Sequence, residues 1–478
     1  MLFNSFEFLI FLPIVFLLYW FVFDYAIRKC KKQLLWQNLF VVVASYIFYG
    51  WWDWRFLILI AITTILSFLS GIGIEKAHTQ RGKKAVMIAN IVVNLGILGV
   101  YKYYDFFAAQ FAQLFGIESD FLLLHLILPV GISFYTFQIA SYTIDVYRGD
   151  TKANKNIIDF GAYVVLFPQL IAGPIVRYVD IAEMLKNRTH TLEKTAYGIQ
   201  RFCIGLGKKV LFANTFGELC SIFRESNEKT VLFYWMYAAA FMLQIYFDFS
   251  GYSDMAIGLG RIFGFTFLEN FDFPFISKSI TEFWRRWHMS LGSWFRDYVY
   301  IPLGGNRVKT PRFLLNIFVV WFLTGFWHGA DWQFILWGLF YGILLVIEKM
   351  WLKKYLDKAP AVLSHIYVLF LTAIGFVIFN SVSIGGAVSD LKGMFGLAGI
   401  PFAGTATLYY LKSYALMFIA GSLLATPVVK TVLKKIDSTE IGGKAFAILK
   451  PIGFAAVLIM VTGYLADGSF NPFLYFRF

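Results

Sequence analysis

Long apolar segments alternate with short polar loops along almost the whole chain. Segments close to the roughly 20 residues needed to cross a hydrocarbon core recur throughout; examples are residues 8–27, 56–74, 122–146 and 367–382. The pattern predicts about eleven such spans and a few shorter apolar stretches. Aromatic-edged segments of this length favour helices over a barrel, whose strands would alternate over about ten residues. We therefore expect an all-α polytopic membrane protein with transmembrane helices and re-entrant segments.

Composition and charge support this class. The chain is 59% hydrophobic and 15% charged, whereas an average soluble domain is about 25% charged. Its net charge of +13 falls in short clusters between apolar spans, which the positive-inside rule explains without a nucleic-acid partner. The clusters comprise Arg28, Lys29, Lys31, Lys32, Lys76, Arg81, Lys83, Lys84, Arg148, Lys152 and Lys155. These loops are predicted to be cytoplasmic, with both chain ends outside.

The regular alternation breaks after Asp159. The apolar segment GAYVVLFPQLIAGPIVRY contains Pro168, Gly173 and Pro174, and basic residues follow it. A short, interrupted apolar segment of this kind predicts a re-entrant hairpin, because irregular backbone at membrane depth has to be buried in protein or line a cavity. A kinked full span is the alternative. No linker separates a second domain, so we expect a single membrane domain over residues 1–478.

The segment over 282–297 combines helical spacing with many basic residues. Trp284, Trp287, His288, Leu291 and Phe295 share one predicted helix face, and Arg285, Met289, Gly292 and Arg296 share another. The segment therefore reads as a short amphipathic helix. The basic stretch around it, over 278–312, could attract a phosphate-bearing cofactor from the cytoplasm, although positive-inside topology alone also explains those charges.

Two histidines, His288 and His328, lie within this predicted membrane region. Lipid offers an imidazole no hydrogen bonds, so an ionisable residue there is a candidate functional residue. His328 stands between Trp327 and Gly329; a neutral imidazole in that setting could accept a proton from a hydroxyl group. The alternatives are a helix-end histidine bonded to a backbone carbonyl for His328, and an interfacial histidine with one wet edge for His288.

Two carboxylates, Asp248 and Asp254, lie in the segment QIYFDFSGYSDMAIGLGR. They could orient a catalytic histidine or a substrate. Buried polar packing, with Arg261 as partner, is an equal alternative, and the spacing does not decide between them. No metal-ligand cluster or nucleophile elbow is predicted, so histidine is left with acid and base chemistry.

The segments EFWRRWHMSLGSWFRDYVYIPLGGNR, LTGFWHGADW, PQLIAGPIVRY and FDFSGYSDMAIGLGRIFGF resemble the membrane-bound O-acyltransferase family. The resemblance is to its bacterial AlgI-type branch, which includes the peptidoglycan O-acetyltransferase PatA and is related to DltB. It covers a core over about residues 168–348, and the flanking spans also fit. It implies a helical ring around a tunnel in which a cytoplasmic acyl donor meets an acceptor presented from outside.

The resemblance also implies site residues. His328 of the WHG motif would be the essential catalytic residue and His288 of the RRWH motif would support it. The donor of this branch is acetyl-CoA, which we expect Arg285, Arg286, Arg296 and Trp327 to contact. An extracytoplasmic SGNH-type partner would complete transfer to a polysaccharide.

The segment NPFLYFRF over residues 471–478 is similar to the aromatic terminal motif of the small DltX protein. If Tyr475 matches the tyrosine of that motif, it is an acyl relay, and carrier and transferase are fused in one chain. A phenol ester is more activated than an alkyl ester, so onward transfer would be downhill. The alternative is an aromatic anchor at the membrane interface.

We therefore expect an inner-membrane O-acetyltransferase for an extracytoplasmic polysaccharide of alginate or peptidoglycan type. Two alternatives stay open on the sequence. The first is a lipid or protein acyltransferase of the same family that uses a long-chain donor. The second is a secondary transporter or flippase, since broken helices and midplane polar groups also occur there.

Overall fold

The computed structural model describes residues 1–27, 29–171, 173–467 and 473–474. Within these ranges the chain forms helices joined by turns and loops, with no β-strand, which confirms the predicted all-α class. The chain divides into two compact units. The first comprises Met1–Phe202 and Ser253–Glu269, and the second comprises Cys203–Tyr252 and Asn270–Phe478.

The helices of the N-terminal part of the chain are numbered in order. They are α1 (Phe6–Leu17), α2 (Gln33–Gly50), α3 (Arg55–Lys76), α4 (Gln80–Phe115), α5 (Ile132–Arg148), α6 (Ile157–Val165), α7 (Phe167–Leu170), α8 (Tyr178–Lys186) and α9 (Leu192–Gly207). π-Helical turns extend α1 over Leu18–Ala26 and α9 over Lys208–Ala213.

The remaining helices complete the chain. They are α10 (Asn214–Glu225), α11 (Val231–Ile262), α12 (Ile280–Arg286), α13 (Met289–Phe295), α14 (Thr310–His328), α15 (Trp332–Ile347), α16 (Lys353–Leu356), α17 (Ala361–Phe379), α18 (Ile384–Met394), α19 (Thr405–Leu424), α20 (Val428–Asp437) and α21 (Glu440–Ala466). Further π-helical turns follow α13 over Arg296–Tyr300 and α15 over Glu348–Leu352.

Within the described ranges, eight helical segments are long and apolar enough to cross a membrane, or nine if the bent pair α19 and α20 is one span. The eight are Phe6–Ala26, Arg55–Lys76, Gln80–Phe115, Val231–Ile262, Thr310–His328, Trp332–Leu356, Ala361–Phe379 and Glu440–Ala466. The protein is thus a multi-pass membrane protein, and the predicted number of about eleven spans is not confirmed.

Two apolar segments differ from their predicted form. The span predicted over 122–146 becomes helical only at Ile132, because Gly131 takes a left-handed φ of 77° at the start of α5. The apolar segment after Asp159 leaves the helix at Leu166, ahead of a proline that lacks a backbone N–H. Its backbone is therefore broken, as the sequence predicts. Membrane re-entry itself stays a prediction.

Polar side chains join helices inside the first unit. Asn90 of α4 donates to Ser67 of α3 across 3.1 Å and accepts from Thr143 of α5 across 2.9 Å. Lipid tails are as apolar as the helix surfaces, so the hydrophobic effect does not drive membrane helices together. Hydrogen bonds between the helices therefore contribute to their association. They fix α3, α4 and α5 around one buried asparagine.

Candidate active site

His328 ends helix α14 at a tight connection to α15. Gly329 follows in an extended conformation, and a Cβ atom there would collide with the ring of Phe334. The half-buried imidazole is met edge-on by the rings of Trp337 and Phe379, whose centroids lie 5.1 and 5.3 Å from its own. The WHG sequence thus places a histidine at the end of a helix, packed against two aromatic side chains.

Two glycines let α14 and α15 touch along their backbones. A Cβ atom at Gly325 would collide with the carbonyl oxygen of Phe334, and one at Gly338 with the carbonyl oxygen of Trp321. Small residues at a membrane helix interface allow this close approach. Because the contact lies one turn before His328, it fixes the end of the helix that carries the imidazole.

His328 lines a small, largely apolar cavity of about 40 Å³ in the second unit. One water occupies roughly 10–15 Å³ by the same measure, so the cavity has room for a group of a few heavy atoms. The lining residues are Ile245, Asp248, Phe249, Trp287, His328, Trp337, Phe376, Phe379, Phe473 and Leu474. The cavity therefore brings together a candidate base, a carboxylate and the two described residues that precede Tyr475.

The helix predicted over 282–297 is wrong as a single element. α12 ends at Arg286 and α13 begins at Met289, because His288 between them takes a left-handed conformation with φ 46° and ψ 53°. The backbone turns at this point, so the predicted common face of aromatic residues is divided. A non-glycine residue with positive φ is uncommon, although histidine is among the side chains enriched there.

Residues distant in sequence cap these two short helices. The buried carboxylate of Glu348 accepts the backbone N–H groups of Ile280 and Thr281 at 2.6 and 2.9 Å at the start of α12. Asn270 Oδ1 accepts the N–H of Ser290 at 3.1 Å in the first turn of α13. Both capping residues were missed by sequence reasoning, and local spacing contained no signal for either.

The same Asn270 oxygen fixes the tautomer of His288. It lies 3.2 Å from His288 Nδ1, and it already accepts a backbone N–H that can only donate, so Nδ1 carries the proton and Nε2 is left as an acceptor. His288 is 3% exposed, and Nε2 has no hydrogen-bond partner among the described residues. Burial lowers the pKa of His288 to about 3. The imidazole is therefore neutral, and the interfacial alternative with a wet edge does not hold.

Trp327 packs against both histidines. Its ring centroid is 4.8 Å from that of His328 and 6.0 Å from that of His288. Phe249, which lines the His328 cavity, also packs edge-on against His288 at 4.6 Å. The structure thus brings the two predicted histidines to one aromatic cluster, in which His328 lines the cavity and His288 packs against the cavity residue Phe249.

The three predicted donor-binding arginines differ in their surroundings. Arg285 is exposed. Arg286 makes ion pairs of 2.7 Å with Asp272 and 3.0 Å with Glu282. Arg296 is exposed and forms a 2.6 Å ion pair with its neighbour Asp297.

The two aspartates of α11 have different partners. Asp248 is 1% exposed, lines the His328 cavity and lies 2.5 Å from the ammonium of Lys209. Asp254 pairs with Arg201 across 2.6 Å in the first unit. The sequence alternative named Arg261 as a partner, whereas the structure shows Arg201 beside Asp254, and of the two aspartates only Asp248 lines the cavity with His328.

A third histidine, His190, has both ring nitrogens engaged. Its Nδ1 lies 3.2 Å from the carboxylate of Asp24, and its Nε2 lies 3.0 Å from the hydroxyl of Tyr19. Sequence reasoning did not select it, and its saturated bonding fits a structural role in the first unit. Tyr475, which sequence reasoning did select, lies outside the described residues.

Several known proteins are similar in sequence to this chain. The sequence profile of the membrane-bound O-acyltransferase family matches residues 153–382. A protein of Azotobacter vinelandii named "Probable alginate O-acetylase AlgI" is 39% identical over 92% of this chain and 95% of its own length. Its namesake in Pseudomonas aeruginosa is 45% identical over 75% of this chain and 70% of its own. The "Peptidoglycan O-acetyltransferase" of Helicobacter pylori is 34% identical over 84% of this chain and 81% of its own.

Proposed function

This chain belongs to the membrane-bound O-acyltransferase family, and from that premise we propose that it moves acetyl groups from cytoplasmic acetyl-CoA to an extracytoplasmic polysaccharide. The names of its relatives support acetyl as the group and alginate or peptidoglycan as the acceptor class. The protein resides in the bacterial inner membrane with both chain ends outside, as the basic loops favour. An SGNH-type partner outside the membrane receives the acetyl group.

One observation carries the proposal: His328 and the segment before Tyr475 line the same cavity. Phe473 and Leu474 form part of its wall together with His328. Tyr475 is the next residue of the chain. In this proposal the Tyr475 hydroxyl is the group that gives its proton to His328, the role that general base catalysis assigns to an imidazole.

The first step transfers the acetyl group from the sulfur of coenzyme A to the phenolic oxygen of Tyr475. His328 takes the proton of the Tyr475 hydroxyl while the phenolic oxygen attacks the thioester carbonyl carbon of acetyl-CoA. The carbon–sulfur bond breaks, and the coenzyme A thiolate takes the proton from the imidazolium. The products are an acetyl-tyrosine ester, free coenzyme A thiol and neutral His328. A serine hydroxyl of the partner next accepts the acetyl group and restores the phenol.

The size of the cavity favours a short acyl group. Its volume of about 40 Å³ suits the three heavy atoms of an acetyl group better than a long hydrocarbon chain. This supports acetyl-CoA over the long-chain donor that the family also allows. Family membership leaves the transporter alternative without support.

We propose that arginines of α12 and of the turn after α13 contact the phosphates of the donor. Arg285 is exposed, and Arg296 is exposed beside Asp297. A guanidinium suits bidentate phosphate recognition. Arg286 also serves the fold through its two carboxylate partners, and Trp327 closes the space next to His328.

The test supplies isotope-labelled acetyl-CoA to membranes that contain the full-length protein. Mass spectrometry then reads the peptide over residues 471–478, and the acetyl content of the polysaccharide is measured. We expect labelled Tyr475 in the wild type and none in His328→Ala, because loss of a general base costs about 10²–10⁴-fold. His78→Ala, in the loop between α3 and α4, is the matched histidine control.

Two outcomes would reject parts of this proposal. Full acetylation of polysaccharide by His328→Ala removes the catalytic assignment. Full acetylation by Tyr475→Phe, which lacks only the hydroxyl, removes the tyrosine relay and leaves direct transfer.

A further inference from the structure

A buried ion pair in the second unit contacts the segment that precedes Tyr475. Lys209 is 3% exposed and Asp248 is 1% exposed, and their charged atoms lie 2.5 Å apart. The other carboxylate oxygen of Asp248 accepts the backbone N–H of Leu474 at 2.7 Å. One carboxylate thus joins a charge partner on one side and the main chain of residues 473–474 on the other.

The local structure brings Lys209 to this position. Lys209 lies in the π-helical turn Lys208–Ala213, and Gly251 of α11 lets the backbones approach closely. A Cβ atom at Gly251 would lie 2.8 Å from the carbonyl oxygen of Gly205 and 3.2 Å from the backbone nitrogen of Lys209. Asp248, one turn before Gly251, therefore faces the lysine.

Stability alone is a weak reason for such a pair. The desolvation of two charges offsets much of their attraction, and apolar replacement of a buried ion pair is often neutral or stabilising. A specific role for the pair comes from the third group that it contacts, the backbone N–H of Leu474. A carboxylate whose charge is balanced by Lys209 can still accept the N–H of Leu474, and hydrogen bonds to charged groups are stronger than those between neutral groups.

Aromatic packing holds the same segment from a second side. The ring of Phe473 lies 5.6 Å from that of Phe249 and 5.1 Å from that of Tyr252, centroid to centroid. Phe473 and Leu474 are 3% and 4% exposed. The two residues are thus held by one directional bond and by ring contacts, against the cavity that His328 lines.

We propose that Asp248, balanced by Lys209, is the positioning residue that holds residues 473–474 on the wall of the His328 cavity. Under the proposed function, on which this use of the segment rests, the bond to Leu474 holds the residue that directly precedes the proposed relay. Asp248 itself takes no part in proton transfer.

The test compares two double variants that both remove the buried charges. Lys209→Met with Asp248→Asn keeps a carbonyl oxygen that can accept the N–H of Leu474. Lys209→Met with Asp248→Leu keeps the volume and loses the acceptor. Because neither leaves an unpaired buried charge, both are expected to fold, which the amount of protein in the membrane and its thermal unfolding midpoint check.

The readout is the reactivity of a thiol at Leu474. Leu474→Cys is introduced in each background, with the exposed Cys30 changed to Ser, and a membrane-permeant maleimide is added to membranes. We expect slow labelling when position 248 is Asp or Asn, and labelling about tenfold faster or more when it is Leu. The reason is that a loss of about 1.4 kcal/mol in the binding of residues 473–474 to the cavity wall raises the fraction of molecules with a detached, accessible segment tenfold. Asp254→Asn, a buried carboxylate on the same helix, controls for general loosening.

The outcomes separate this inference from the proposed function. Equal labelling of the Asn and Leu variants overturns the positioning role of Asp248, whatever happens to acetylation. Faster labelling of the Leu variant alone, with a parallel fall in acetyl transfer, supports both. Faster labelling with unchanged acetyl transfer supports the positioning role and rejects the tyrosine relay.

Discussion

Asn270 fixes the tautomer of the neutral His288 ring through a single carbonyl oxygen. That oxygen lies 3.2 Å from His288 Nδ1 and also accepts the N–H and hydroxyl of Ser290 at 3.1 and 2.9 Å. The bond turns the unprotonated Nε2 away from Asn270, and the ring lies against Trp327 and Phe249. The supporting role that the sequence predicts for His288 would therefore depend on a residue 18 positions earlier in the chain.

Replacement of Asn270 should affect both folding and rate. Asn270→Ala leaves buried donors without an acceptor, which costs about 1–3 kcal/mol of unfolding free energy. It also frees the tautomer of His288, and we expect acetyl transfer to fall about tenfold, which corresponds to about 1.36 kcal/mol of transition-state stabilisation. Initial rates in membranes and thermal unfolding in detergent measure the two effects.

Asn316→Ala is the matched control. Asn316 is equally buried in the second unit and donates to the carbonyl oxygens of Leu303 and Gly305 at 3.2 Å. It should lose comparable stability and keep the rate per folded molecule. Equal rate losses in the two variants would contradict the role given to Asn270.

Acid should destabilise the protein through His288. The unfolded chain binds a proton at this residue near the ordinary histidine pKa of 6.5, while the folded chain binds it only near the lowered pKa of about 3. Between these values the unfolded state binds more protons, so stability rises with pH, by about 1.4 kcal/mol per pH unit at most. The contribution is fully present above pH 6.5 and is lost as the pH falls towards 3.

His288→Asn removes this dependence, since asparagine also tolerates the left-handed conformation. The unfolding midpoints of the variant and the wild type are compared from about pH 7 to about pH 4. Their difference should change steadily over that range. A constant difference would show that the proton is not excluded from His288.

The glycine contact between α14 and α15 should tolerate no Cβ atom. Gly325→Ala meets the carbonyl oxygen of Phe334, and overpacking of this kind costs about 1–3 kcal/mol. Alanine otherwise favours a helix over glycine by about 1 kcal/mol. Gly463→Ala in α21, where a Cβ atom meets open space, should therefore be neutral or stabilising. Thermal unfolding measures both, and equal shifts in the same direction would refute the close backbone contact.

Loss of the exposed charge at Arg285 should weaken donor binding alone. We expect Arg285→Gln to raise KM for acetyl-CoA roughly two- to fivefold with kcat unchanged, because an exposed ion pair contributes about 1 kcal/mol at most. The increase should shrink in high salt, which screens exposed charges. Lys358→Gln is the control for a general loss of positive charge. A salt-independent change in kcat would count against a binding role.

Local sequence pattern was sufficient for the membrane class and for the end of α14. The long apolar segments predict helices, and Gly329 marks the point where the chain turns after His328. The break at His288 was beyond that reasoning, because helical spacing places the same aromatic residues on one face whether or not the helix continues. Asn270, which accepts the N–H of Ser290 directly after the break, lies outside the periodic segment.

Pairings between distant residues were the other limit. The sequence offered Arg261 as a possible partner for Asp254, and the structure shows an ion pair with Arg201. Lys209 and Asp248 are separated by a whole helix, so their spacing predicts nothing. Such contacts depend on which helices adjoin, which hydropathy alone does not encode.

The presence of Leu474 on the cavity wall has a kinetic consequence. An acceptor that belongs to the same chain reaches the imidazole at a fixed effective concentration, set by its attachment and independent of how much protein a membrane holds. Dilution of the protein with added lipid should leave the rate of acetyl loading per chain unchanged. A separate carrier protein would instead have to diffuse to the cavity, and its loading would slow as the bilayer becomes more sparsely populated.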